Sequence, residues 1–248
     1  METGALVATV VVGTLIEAVL GFGFAPIFVP VAALIVAPRH AVAMSLILGT
    51  VMGSGLYVEH RPRASLRSIG PLVAGALIGT PLGILILLRV DETVLRLLVA
   101  AAVFVSAAAT LASRSAHDTP ARLDLPVRQG IVGLIGGVVR GAISMGGPPV
   151  VLYQHWVGGG SERIRGRLYA YFFWLGVPAT LMAVPTGLFT EQVIRDSAVA
   201  LPALAAGILL GRVLRPRLAE RWFGLLSMLL LAVTSACAAW GAGRVLLG

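Results

Sequence analysis

An arginine lies in the middle of a long apolar segment of this chain, and a glycine-rich stretch follows it. Arg140 stands between Gly133 and Val157, a run otherwise almost free of charge, and Gly141-Ala-Ile-Ser-Met-Gly-Gly-Pro-Pro149 comes directly after it. A guanidinium keeps its proton at any accessible pH. Placing one at membrane depth therefore costs roughly 2.5–3.5 kcal/mol unless it faces a polar pathway or a partner. We interpret Arg140 as a fixed positive charge that the function of the protein requires.

A second glycine-rich stretch, Gly21-Phe-Gly-Phe-Ala-Pro26, interrupts the first apolar segment. Glycine releases a helix and proline is favoured in a first turn, so each stretch predicts that one helix ends and another begins at Pro26 or Pro148. The new helix would present free backbone N–H groups and the positive end of its dipole. Two such ends, with Arg140 nearby and Ser144 as a donor, predict a site for a small anion.

The predicted site draws on both glycine-rich breaks and on the helices that follow them. Glycines would let an anion touch the backbone directly, and hydroxyl groups on the following helices are candidate donors. The predicted substrate-binding residues are Arg140, Ser144, Gly146, Gly147, Pro148, Gly21, Gly23, Phe24, Ala25, Pro26, Ser45 and Tyr169. Glu17 and His155 are candidates either for a proton carrier or for an ion-pair partner, and the sequence leaves both interpretations open.

The composition is that of a helical membrane protein that crosses the bilayer several times. Of the 248 residues, 58% are hydrophobic and only 12% are charged. Apolar segments run approximately over 4–37, 41–58, 69–88, 94–112, 128–158, 165–184, 197–213 and 222–242. A thirty-residue helix would reach about 45 Å, beyond the ~30 Å hydrocarbon core, so the first and fifth segments are too long for one helix. We interpret each of these two as a pair of half-helices.

The charged residues and the single cysteine exclude several other classes of function. All 19 basic residues are arginines and nearly all lie at the ends of apolar segments, which indicates contact with the lipid bilayer rather than with nucleic acid. One cysteine, Cys237, excludes an internal disulfide and a multi-cysteine metal site. We predict no metal and no cofactor. No removable signal peptide is predicted at the N-terminus.

The order of features predicts an internal repeat. Residues 1–112 and 128–248 form two predicted transmembrane repeats, joined by a polar cytoplasmic linker at 113–127. Each repeat would contain a broken or re-entrant helix pair followed by three transmembrane helices. The alignment pairs Gly13 and Gly21 with Gly133 and Gly141, and the Gly75–Gly79 pair with Gly207 and Gly211.

The arginine positions indicate how the two repeats are oriented, because cytoplasmic loops are enriched in basic residues. If each long segment turns back on itself, 13 loop arginines fall on one side of the membrane and 5 on the other. A single crossing by each long segment gives a nearly even division. The hairpin arrangement makes the repeats inverted and places both termini on the non-cytoplasmic side. Inverted repeats with a site at mid-membrane are typical of secondary transporters that work by alternating access.

The two breaks and several neighbouring stretches resemble the sulfite exporter TauE/SafE family. The resemblance includes Gly21-Phe-Gly-Phe-Ala-Pro26, Gly141-Ala-Ile-Ser-Met-Gly-Gly-Pro-Pro149, Ala41-Val-Ala-Met-Ser-Leu46 and the stretch from Arg165 to Phe173. It implies export of sulfite, sulfonates or related organic anions across the bacterial plasma membrane. Phe24-Ala25 stands where the family usually has further glycines, so phenylalanine would fill part of the first half-site.

Two other functions are compatible with these residues. An anion channel would use the same charges without alternating access. An intramembrane hydrolase would use Ser144 as a nucleophile with His155 as its base. The chain lacks the Gly-x-Ser-x-Gly and His-Glu-x-x-His patterns, so we predict that it is not an enzyme. The identity of the anion, ion coupling and homo-oligomer formation stay open at this level.

Overall fold

A computed structural model describes residues 2–59, 66–114, 123–158 and 161–214. These residues form nine α-helices and one 3-10 turn at Val184–Thr186, and they contain no strand. The helices are α1 Glu2–Leu20, α2 Phe24–Ala32, α3 Pro38–Glu59, α4 Leu66–Arg89, α5 Glu92–Arg114, α6 Pro126–Ile143, α7 Gly147–Val157, α8 Ser161–Ala183 and α9 Glu191–Leu214. The apolar segment at 222–242 and Cys237 lie outside the described residues.

Four of the described helices, α3, α4, α8 and α9, are long and apolar enough to cross a membrane. Large apolar side chains such as Ile78, Leu181 and Leu209 are more than half exposed on the outside of the bundle. Exposed aliphatic side chains in such numbers suit a surface in contact with lipid rather than with water. The all-helical fold of a polytopic membrane protein, predicted from the sequence, is confirmed at this level.

Both long apolar segments break at the predicted glycines, although the helix starts differ from the prediction. α2 begins at Phe24 and α7 at Gly147, which is earlier than Pro26 and Pro148. The prolines still fall within the first turn, where a missing N–H costs no hydrogen bond. The interpretation of two half-helices holds only for the second member of each pair. At ~1.5 Å per residue, α2 and α7 are about 14 and 16 Å long, whereas α1 and α6 are about 28 and 27 Å long.

The chain turns back at each break. A methyl group placed at Gly13, two turns before the end of α1, would lie 3.2 Å from the ring of Phe24 in α2. A methyl group at Gly136 in α6 would lie 3.1 Å from Val150 in α7. Two straight consecutive helices could not bring these residues together. The contacts agree with the hairpin arrangement that the arginine positions favoured.

The helix boundaries give a register between the two halves that differs from the sequence alignment. α1 and α6 end at residues 20 and 143, α2 and α7 begin at 24 and 147, and α3 and α8 begin at 38 and 161. One shift of 123 residues relates all three pairs. Gly13 therefore corresponds to Gly136 and not to Gly133. The pairing of Gly13 and Gly21 with Gly133 and Gly141 was wrong, because the residue that ends α6 in the left-handed conformation is Ser144.

In each half, the second helix after the broken pair packs against the first helix of the other half, α4 against α6 and α9 against α1. α3 packs against α8. α4 also contacts α8, and α9 contacts α3. Exchanging the two halves converts the α4–α6 contact into the α9–α1 contact and the α4–α8 contact into the α9–α3 contact. The α3–α8 contact is converted into itself.

The α4–α6 contact depends on glycines at four-residue spacing on both helices. Methyl groups at Gly75, Gly79 or Gly83 would overlap backbone atoms of α6, and methyl groups at Gly133 or Gly137 would overlap backbone carbonyls of α4. Small residues at this spacing let helix backbones approach closely and gain dispersion energy that lipid cannot replace. Gly207 and Gly211 have the same role in the contact of α9 with α1, where a methyl group would meet Thr14 or Ala18.

A polar cluster joins three helices beside the start of α6. The side chain of Asp124 accepts hydrogen bonds from the Tyr153 hydroxyl and the Arg167 guanidinium, and Arg167 also donates to the Ser68 carbonyl at 2.9 Å. Partial burial disfavours the charged carboxylate, but the hydrogen bonds from Tyr153 and Arg167 outweigh it, and the pKa of Asp124 is lowered. The cluster fixes the segment before α6 against α4, α7 and α8.

Candidate functional site

A small cavity lies between the two breaks and is closed by α3 and α8. It has a volume of about 20 Å³ for the centre of a water molecule, which is room for about one water. Its walls combine both tips, the residues just before them and three residues of α3 and α8. They are Glu17, Phe22, Gly23, Phe24, Ala25, Pro26, Ser45, Gly49, Arg140, Ser144, Met145, Gly147 and Phe172. The cavity therefore brings together nine of the fourteen residues that the sequence proposed for the site.

Arg140 supplies the positive charge of this cavity. Its side chain is 3% exposed, and its Nε and Nη2 atoms are buried without a hydrogen-bond partner. A buried, charged donor without a partner is costly, because the group has lost its water and gained nothing in exchange. These N–H groups, in the last turn of α6, therefore have unused capacity to donate hydrogen bonds.

Ser144 ends α6 in a conformation that glycine normally adopts. Its φ is 61°, the only positive φ of a non-glycine residue in the described part of the chain, and its N–H donates to the Arg140 carbonyl at 2.7 Å. A left-handed serine is strained, and such strain is typical of functional sites. The turn places Ser144 in the cavity wall together with Arg140.

The start of α7 adds the positive end of a helix to the same wall. Its N-cap is Gly146, so no side chain caps the first N–H groups of the helix. Gly147, at the first helical position, lines the cavity. The next two residues are prolines without N–H groups, so Gly147 has the one backbone donor among the first three helical positions. Substituting Gly147 would narrow the cavity, because a methyl group there would lie 3.2 Å from Phe172.

The start of α2 differs, because a carboxylate occupies it. The Oε2 atom of Glu17, which is 6% exposed, accepts the N–H of Phe24 at 2.9 Å. A carboxylate at this position satisfies the first amide of the helix and opposes its positive dipole. The expectation of two free, positive helix ends is therefore wrong for the first one.

Glu17 and Arg140 occupy corresponding positions in the two halves. Each is three residues before the last residue of its helix, Leu20 or Ile143, and both line the cavity. No direct ion pair joins the two described side chains, and the guanidinium nitrogens named above have no partner in Glu17. The site thus has an acidic side at α2 and a basic side at α6 and α7.

Several wall residues were not singled out from the sequence. Phe22 and Met145 belong to the breaks, while Gly49 and Phe172 face the cavity from α3 and α8. A methyl group at Gly49 would meet no atom within 4 Å, so the absence of a side chain there leaves space in the cavity. No local pattern marks Gly49 and Phe172, since their position follows from the packing of α3 against α8.

Ser45 and Tyr171 are buried hydroxyl residues near the charged wall. Ser45 lines the cavity, and neither its hydroxyl nor that of Tyr171 has a hydrogen-bond partner. Tyr171 lies close to Arg140, and a methyl group at Gly136 would be 2.9 Å from its hydroxyl oxygen. Ser45 was predicted for the site and Tyr171 was not. Both have unused hydrogen-bonding capacity beside the guanidinium.

Five of the predicted residues do not line the cavity. They are Gly21, Gly146, Pro148, His155 and Tyr169. The Tyr169 hydroxyl donates to the Ala18 carbonyl at 2.9 Å, which satisfies one of the free carbonyls at the end of α1. Gly21 and Gly146 shape the two turns, with φ 86° at Gly21 and Arg140 packed against Gly146. His155 lies near the far end of α7.

One comparison with known proteins gives a match. The model of the family described as Sulfite exporter TauE/SafE matches residues 5–237, nearly the whole chain. No curated protein and no solved structure matches the chain. The match covers both breaks and every described helix that forms the cavity. The chain belongs to the sulfite exporter TauE/SafE family.

Proposed function

From its membership of the sulfite exporter TauE/SafE family, we infer that this membrane transport protein is a secondary transporter for a small anion. The substrate class comprises sulfite, sulfonates and related organic anions. The anion binds in the cavity at Arg140, with Ser144 and the Gly147 amide as further donors. One observation carries this assignment: a buried guanidinium has two unpartnered nitrogens beside a helix start that no acid occupies.

Alternating access is the mechanism that we propose, with the two halves as inverted repeats. The contacts of α4 with α6 and of α9 with α1 exchange when the halves are exchanged, which supports a twofold relation between them. The cavity has room for only about one water molecule, so we interpret this arrangement as a closed one that must widen to admit the anion. Rocking of one half against the other would expose the site to each side in turn.

The direction that we propose is export across the bacterial plasma membrane, with both termini on the non-cytoplasmic side. An interior-negative potential favours the exit of an anion by about 2.3 kcal/mol per charge per 100 mV. The polar cluster of Asp124 and Arg167 would then lie at the cytoplasmic end of the bundle. The basic loops support this orientation through the excess of arginines that cytoplasmic loops carry.

Flux into proteoliposomes tests the assignment. Labelled sulfite, methanesulfonate and acetate would be compared, with unlabelled anion on the opposite side. A carrier gives saturable flux that is accelerated by counterflow, whereas a channel gives flux that counterflow does not accelerate. Flux of none of these anions, or equal flux with Arg140 replaced by alanine, would refute the proposed site.

A further inference from the structure

Glu17 and Arg140 give one cavity two opposite charges that do not neutralise each other directly. They occupy corresponding positions in the two halves, and both are more than nine-tenths buried. Glu17 is bound to the Phe24 amide, and the guanidinium nitrogens Nε and Nη2 have no partner. The anion site described above therefore has a carboxylate on its opposite wall.

Arg140 is the only other charged residue that lines this cavity in the described part of the chain. α2 has no titratable residue. From α8, Arg165 packs its side-chain stem against Gly21, and the Tyr169 hydroxyl donates to the Ala18 carbonyl. From α9, Gly211 packs against Ala18, and the adjacent Arg212 is largely exposed and lies within ion-pair distance of Glu59. A negative charge that enters at Arg140 thus faces Glu17 without a second cation on the wall.

Two negative charges in one small, buried cavity repel strongly, because little water can screen them there. An anion at Arg140 and an ionised Glu17 would also share the attraction of one guanidinium. A proton on Glu17 removes the repulsion and leaves Arg140 to the anion. By linkage, an anion that binds better to the protonated protein must itself promote uptake of that proton.

We propose that Glu17 is the proton-binding site of this transporter and that anion and proton are bound together in the cavity. This proposal rests on the proposed function, since it concerns the same site. A dianion carried with one proton still moves one net negative charge, so an interior-negative potential favours its exit. A monoanion carried with one proton moves no net charge, and its flux does not respond to the potential.

Binding of methanesulfonate as a function of pH tests the proposal, because this anion does not itself titrate in the accessible range. The detergent-solubilised full chain would be titrated calorimetrically between pH 5 and pH 9. For the unsubstituted protein, we expect the affinity to fall about tenfold per pH unit on the alkaline side. Glu17→Gln keeps an oxygen that can accept the Phe24 N–H but cannot titrate. This variant should bind with the affinity of the low-pH limit at every pH.

Glu191→Gln is the matched control, because Glu191 is an exposed carboxylate at the start of α9 with its own partner, Arg195. It should keep the pH dependence of the unsubstituted protein. Proteoliposomes give a second measurement: methanesulfonate flux should become sensitive to an imposed potential only in Glu17→Gln.

Three outcomes would overturn the proposal. They are an affinity of the unsubstituted protein that does not depend on pH, an unchanged pH dependence in Glu17→Gln, and loss of binding in that variant at every pH. Failure of the proposed function is distinguishable, because it would show as unchanged binding in Arg140→Ala. Glu17→Asp provides a further arm if the glutamine variant is not monodisperse. It should retain a pH dependence with a shifted midpoint, and an unshifted midpoint would count against the proposal.

Discussion

Replacing Arg140 by alanine should remove most of the affinity for the anion. The guanidinium has two unpartnered nitrogens in the cavity, and a hydrogen bond to a charged group contributes about 1.5–3 kcal/mol. Loss of both therefore costs about 3–6 kcal/mol, which is about a 10²- to 10⁴-fold increase in Kd. Arg140→Lys retains a charge but not the planar pair of donors, so its Kd should rise by about 10- to 100-fold.

The measurement is calorimetric titration with methanesulfonate, followed by flux in proteoliposomes. Arg195→Ala is the matched control, because this arginine is 73% exposed and lies on α9 away from the cavity. It should bind like the unsubstituted protein. Size-exclusion chromatography establishes that each variant is folded before it is titrated. A Kd for Arg140→Ala within threefold of the unsubstituted value would refute the assignment of the guanidinium as the anion ligand.

Three further predictions concern the space in the cavity, the helix contact and the polar cluster. Gly49→Ala fills open space in the cavity and should weaken anion binding by about 1–3 kcal/mol. Gly70→Ala is the control, because its surroundings are equally open but lie outside the cavity, and it should leave binding unchanged. Equal calorimetric affinities of the two variants would contradict the prediction. Gly133→Ala overlaps a carbonyl of α4 and should lower the free energy of unfolding by about 1–3 kcal/mol or more. Gly130→Ala should be tolerated, because the new methyl group would lie 3.9 Å from the nearest atom. Similar thermal midpoints of the Gly133→Ala and Gly130→Ala variants in detergent would refute the close contact. Asp124→Asn should lower the free energy of unfolding by about 1–3 kcal/mol at neutral pH. Since the pKa of Asp124 is lowered, the unsubstituted protein should lose that stability as the pH falls below the ordinary aspartate range, and the variant should show no such loss in acid melts.

The local features of the fold were predictable from the sequence because they depend on residue types at short range. Glycine and proline at the two breaks predicted where the long segments end and restart, and the structure breaks there within a few residues. An arginine in an apolar run predicted a place that needs a positive charge, and Arg140 lines a buried cavity between the two breaks. The division of arginines between loops favoured the hairpins that the contacts at Gly13 and Gly136 display.

The register between the halves was not predictable by matching glycines. Gly21 and Ser144 both have positive φ and both donate a hydrogen bond to the carbonyl four residues earlier, but only one of them is glycine. The alignment consequently missed that Glu17 corresponds to Arg140. Conformation, rather than residue type, relates these positions, so the correspondence became visible only with the helix ends in place.

The sequence by itself determined that this chain is an all-helical membrane protein with two broken helix pairs and a buried arginine, because hydropathy, glycine and proline act locally. Tertiary structure alone decided which groups meet. It placed Glu17 on the start of α2, left the start of α7 without an acid, and brought Gly49 and Phe172 to the same cavity. Those contacts depend on the packing of α3 against α8 and on the close approach of α4 to α6. Such long-range packing is set by the fit of whole helices and leaves no pattern in a single stretch of sequence.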